Sequence, residues 1–149
     1  MEFKTPQSLK LEHEELHKKL AEAARVSGKV GEAARNVARI LHPHFVKEEE
    51  YAFPPLGLLP VLAEGKVTSE MGDVLSMTGK LKTELPEMLQ EHKEIVAALK
   101  ELVDTAKKEK RMEYVHFSEK LILHAQNEEE ILYPSSIMIG EYLRLKLRK

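Results

Sequence analysis

One motif occurs twice in this chain, eighty residues apart. His44-Phe45-Val46-Lys47-Glu48-Glu49-Glu50 leads on to Phe53-Pro54, and His124-Ala125-Gln126-Asn127-Glu128-Glu129-Glu130 leads on to Tyr133-Pro134. Each copy has a shorter echo upstream. Glu12-His13-Glu14-Glu15-Leu16 precedes the first, and Glu91-His92-Lys93-Glu94-Ile95 precedes the second. The repeat constrains the fold to two similar halves. Each half offers one His, then a His and a Glu four residues apart, and residues four apart share one face of a helix.

Around these motifs apolar residues recur at spacings of three and four, the period of a helix. Leu9, His13, Leu16, Leu20 and Ala24 mark a first amphipathic helix that ends near Gly28. Val30, Ala34, Val37, Leu41, His44, Glu48 and Tyr51 mark a second, stopped by Pro54-Pro55. Gly57, Pro60 and Gly65 predict a loop over 54–68, with room for a helical turn. A third helical region spans roughly Ser69 to Lys108, and Pro86 should kink or divide it. Its stripe is Leu85, Leu89, His92, Val96, Leu99 and Val103. The fourth helix, from about Arg111 to Tyr133, carries Phe117, Leu121, His124, Glu128 and Leu132. Pro134 should break it, leaving a short fifth helix after Ser135. No segment alternates with period two, so no sheet is expected. The prediction is an all-α, antiparallel up-down four-helix bundle with a short extra C-terminal helix, one domain over residues 1–149.

Composition excludes several classes. The 25 acidic and 23 basic residues give a net charge of −2, so no charge imbalance points to nucleic acid or an anionic membrane. The basic tail Arg144–Lys149 reads as a helix end. No apolar run reaches the ~18 residues of a transmembrane helix, and Met1-Glu2-Phe3-Lys4 does not begin a signal peptide. Cysteine is absent, which removes disulfides, thiolate ligands, Fe–S clusters and thiol catalysis. A cytoplasmic location is expected.

His13, His44, Glu48, His92, His124 and Glu128 fall within the apolar stripes rather than opposite them. Glu is almost never buried unless paired or bound to a metal. Imidazole and carboxylate donors without sulfur suit iron, manganese or zinc. Two Glu residues between facing helices can bridge two ions. Counted against about twelve octahedral positions, two bridging Glu, an oxygen bridge and four His leave about two open. His17, four residues after His13, would fill one of them. Its counterpart in the second half is Val96, and a place at the stripe edge remains equally open to His17. Spacing turns His42 and His116 away from the stripes. Glu49, Glu50, Glu129 and Glu130 read as solvated or as supports for the ligands. Tyr51 can cap the pocket or fill the core, and Met71, Met77 and Met88 read as core. A ferritin-like pattern would use Glu14-x-x-His17 and Glu113-x-x-His116, but both Glu residues lie off the stripes.

These motifs resemble the hemerythrin-like proteins of the His-His-Glu cation-binding group, from about Leu9 to Pro134. The resemblance implies a four-helix bundle with a non-haem di-iron centre, oxo- or hydroxo-bridged. It implies His13 from the first helix, His44 and Glu48 from the second, His92 from the third, and His124 and Glu128 from the fourth. Oxygen-carrying members have a second third-helix His where Val96 stands. Their last carboxylate is an Asp five residues after its His. Both departures resemble the prokaryotic and regulatory branch. The expected ligand is a diatomic, O2 or NO, and any regulatory output would need a separate protein partner. Peroxide or NO reduction, or a metal that only staples the bundle, are the alternatives.

Overall fold

The computed structural model describes residues 3–148; Met1-Glu2 and the last residue of the basic tail, Lys149, lie outside them. Helix α1 spans Gln7–Ala24 and α2 spans Lys29–Lys47. Gly28 turns the chain between them at φ 85°, a conformation that glycine adopts without a Cβ penalty. Three residues on, a side chain at Gly31 would place its Cβ 1.7 Å from the Val26 carbonyl oxygen, so the turn closes only over glycine. After α2 comes one wide turn, Glu48–Ala52, then a 3-10 turn, Pro54–Leu58, and the short α3, Leu59–Ala63. The expected loop over 54–68 is therefore largely helical turns. A second 3-10 turn, Ser69–Val74, leads into α4, Leu75–Lys108. Helix α5 is Met112–Asn127. A second wide turn, Glu128–Leu132, joins it to α6, Tyr133–Leu147.

Helices α1, α2, α4 and α5 pack in that order around a ring, and α6 lies against the first half of α4. This is the expected all-α bundle, and no strand occurs among the described residues. Two proline expectations need correcting. Pro86 does not divide α4, which runs for 34 residues. Pro134 does not break the last helix, because Leu132 and Tyr133 keep helical dihedrals straight into α6. Pro43 also lies inside α2. All three prolines face solvent, where water can hydrate the carbonyl each one leaves without an N–H partner.

Two apolar clusters make up the core. One contains Leu16, Leu20, Val37, Leu41, Phe45, Leu99 and Leu121. The other contains Phe53, Leu56, Met71, Leu81, Met88, Tyr133 and Leu143. Every long helix crosses the seam between them, and each crossing carries a buried polar residue. On α1 it is His13, on α2 and its wide turn His44 and Glu48, on α4 His92, and on α5 and its wide turn His124 and Glu128.

Candidate metal centre

The wide turns set the geometry. In each, the N–H of the fifth residue onward closes on the glutamate carbonyl: Phe53 N–H donates to Glu48 O at 2.9 Å, and Tyr133 N–H donates to Glu128 O. Such i→i+5 turns are rare and recur at functional sites. Each begins at the glutamate of a His-x-x-x-Glu pair and is followed at once by an aromatic residue, Phe53 or Tyr133.

The six buried residues form two overlapping donor groups. His44, Glu48, His92 and Glu128 offer ligand atoms within 4.8 Å of one another, as do His13, His124 and Glu128. Glu128 is common to both. Its Oε1 lies 3.1 Å from His92 Nε2, and its Oε2 lies 3.1 Å from His124 Nε2 and 3.4 Å from His13 Nε2. Glu48 Oε2 lies 3.5 Å from His44 Nε2. His13 Nε2 and His124 Nε2 face each other at 3.0 Å.

Carboxylates outside the cluster orient three of the imidazoles. His44 Nδ1–H donates to Glu91 Oε1 at 2.8 Å, and Lys47 holds the other Glu91 oxygen at 2.7 Å. His92 Nδ1–H donates to Glu129 Oε1 at 3.0 Å. His124 Nδ1 is against the Glu12 carboxylate. A carboxylate on Nδ1 directs the Nε2 lone pair inward, the arrangement that metal-ligating histidines use. Glu12 and Glu91 each precede a repeated histidine and brace a histidine of the opposite half. Their matching positions in the repeat are the signal that sequence reasoning passed over.

The inward face is rich in electron pairs and short of protons. Glu48 Oε1 and Glu128 Oε2 have no hydrogen-bond donor, although both residues are buried. Burial opposes ionisation of Glu48, but His44 and Glu128 outweigh it and hold its carboxyl below the usual range. Burial, then the nearby Glu48 charge, pushes Glu128 well up. Two carboxylates in one dry site cannot both ionise unless a cation joins them. Burial lowers His13 to about 4, against the pull of Glu48. Burial and His44 lower His92. His44 itself is raised, because Glu48 and Glu91 overcome its burial. Imidazole nitrogens, paired carboxylates and unpartnered oxygens together fit divalent metal ions.

Two expected site residues are not brought to the cluster. His17 is half-buried, with its ring edge-on to Phe45 at 4.5 Å and near His42 at 6.0 Å. Tyr51 is buried, but its hydroxyl donates to the Glu84 carboxylate and lies beside Met88. Seven residues after His44 would place Tyr51 below that histidine in a regular helix; the wide turn rotates it out of line. Besides Glu12 and Glu91, sequence reasoning missed Tyr133. Its hydroxyl donates to Glu48 Oε2 at 2.5 Å and lies 3.0 Å from His44 Nε2 and 3.1 Å from His92 Nε2. Burial, then Glu48 and Glu128, push this phenol well above its ordinary range. Glu14, Glu113 and His116 are exposed, so the ferritin-like pattern assembles no site. Met71 and Met88 are core residues, as expected.

A helical bundle with histidine and carboxylate donors buried at its waist defines the class, a metal-binding helical bundle. The family model described as the hemerythrin HHE cation binding domain matches residues 5–135, and the chain belongs to that family. Neither the curated proteins nor the solved structures contain a match. Among the described residues no helix is long and apolar enough to cross a membrane.

Proposed function

We propose that this chain is a non-haem di-iron protein that binds or senses a diatomic ligand, O2 or NO. The observation that carries the reading is the sharing of Glu128 between two buried donor groups, which suits a pair of ions joined by one carboxylate. His44, Glu48 and His92 would hold one ion, His13 and His124 the other, and Glu128 both. Iron so held supplies a redox-active Lewis acid that can take up a diatomic ligand.

The chain's own residues favour small ligands. Phe45 stacks on His13 at 4.5 Å, and Phe53 meets the same ring edge-on at 5.2 Å, so apolar walls stand between the cluster and water. A cleft of about 650 Å³ between the N-terminal segment and α1 is lined by Thr5, Leu9, Lys10, His13, Glu49 and Phe53. It gives a small molecule a way to the His13 side. Glu12, Glu91 and Glu129 keep three imidazole lone pairs turned inward while ligand comes and goes.

The test is an anaerobic ferrous titration followed by admission of O2, watched by optical spectroscopy. Saturation near two irons per chain, then a visible band that vanishes under vacuum, is the expected result. A band that persists would point to redox turnover or iron holding instead. Failure to take up iron at all would overturn the reading.

A further inference from the structure

The Tyr133 hydroxyl occupies the middle of one donor group. Glu48 Oε2, His44 Nε2 and His92 Nε2 surround it at 2.5, 3.0 and 3.1 Å, and the ring is fully buried. Glu91 and Glu129 hold the Nδ1 protons of the two histidines, so both Nε2 lone pairs point at this oxygen. Three electron pairs therefore face a hydroxyl that has one proton to give. A hydrogen-bonding role satisfies only one of the three. A cation drawn to those electron pairs has a fourth donor, the phenol oxygen, beside it.

The repeat adds a second, independent observation. Tyr133 is five residues past Glu128, and Phe53 is five residues past Glu48. The two wide turns bring both rings to the seam, where they stack with centroids 6.3 Å apart. Phe53 offers the His13 ring an apolar edge and no oxygen. The two donor groups, already unequal because only one contains Glu48, thus differ by a phenol as well.

We propose that Tyr133 is itself a metal ligand, a phenolate on the ion held by His44, Glu48 and His92, and that it widens the chemical difference between the two metal positions. The inference rests on the metal-centre reading above. On ligation the phenol O–H bond breaks, a bond forms from the phenolate oxygen to the cation, and the proton leaves to solvent. No electron is transferred. The charge of a bound cation is what makes a buried phenolate tolerable.

Resonance Raman spectroscopy of the full chain loaded with ferric iron tests this. Phenolate bound to ferric iron gives a visible charge-transfer band, and excitation in that band enhances tyrosine ring modes. The modes shift when the tyrosines are ring-deuterated. Wild type should show deuterium-sensitive modes, Tyr51→Phe should keep them, and Tyr133→Phe should lose them while still binding iron. Wild-type protein that holds iron without such modes overturns the phenolate alone, however the variants fold. Modes that survive Tyr133→Phe belong to another tyrosine and overturn it too. If wild type binds no iron, the metal centre falls and the phenolate with it.

Discussion

Glu128 and Glu48 occupy matching places in the repeat, yet their surroundings differ. Both Glu128 oxygens face imidazoles, one toward His92 and the other toward His124 and His13. Replacing Glu128 with Ala removes a donor from both groups at once. Bound iron should then fall from two per chain to near zero by metal analysis; a variant that keeps one tightly held ion would show that the carboxylate is not shared. A second prediction concerns the metal-free protein. His13 is lowered from 6.5 to about 4, so the unfolded chain binds this proton more tightly than the folded one. Its contribution to stability is therefore complete above about pH 6.5 and is lost as pH falls toward about 4. His44 and Glu128, both raised, act in the opposite sense and are strongest at low pH. The comparison must therefore be between wild type and His13→Gln. At about 1.4 kcal/mol per pKa unit, the stability gap between them should shift by up to about 3 kcal/mol between pH 7 and pH 4. Urea unfolding at a series of pH values measures it, and parallel profiles would show that His13 titrates as freely in the fold as outside it.

At the scale of elements, α6 packs through a buried stripe of Tyr133, Ile139 and Leu143, and meets α4 at one close approach. An added Cβ at Gly140 would lie 2.2 Å from Thr78 Oγ1 and 2.6 Å from Thr78 Cβ. Gly140→Ala should cost about 1–3 kcal/mol, the usual penalty for overpacking. Thr78→Ala in the same chain should restore part of it, which a double-mutant cycle by urea unfolding would read as coupling. Additive effects would mean that the helices part freely here. The four long helices and the six buried donors were legible in the sequence because a His or Glu inside an apolar stripe has no bland explanation twice over. The wide turns were not. Counting at 100° per residue places Tyr133 about half a turn from His124, and the same counting brings Tyr51 under His44. An i→i+5 turn changes both answers, and nothing in Glu-Glu-Glu announces it. The prolines misled for a related reason. Breaking a helix requires a carbonyl with nowhere to turn, and Pro43, Pro86 and Pro134 all free theirs toward water.

Across the whole molecule, the donors form a polar seam through an otherwise apolar interior. The first cluster closes over Leu99 and Leu102, the second over Met71 and Leu81, and the helices cross between them at His13, Glu48, His92 and Glu128. Without metal this seam holds unpartnered oxygens on Glu48 and Glu128, each a cost of desolvation without a bond in return. Metal ions that bind only the folded state convert the seam into a joint between the two clusters. Free metal a thousandfold above its Kd adds about 4 kcal/mol, and each kcal/mol moves the Tm of a chain this size by roughly 2–4 °C. Loading should therefore raise Tm by roughly 10 °C, and a chelator should reverse it. The loss should be uneven. Hydrogen exchange in the chelated protein should quicken first in the turns at 48–53 and 128–133, while amides around Leu99 and Leu102 keep their protection. Equal Tm values with and without metal would mean that the seam is stable by itself. Protection lost evenly along the chain would mean that the two clusters never fold apart.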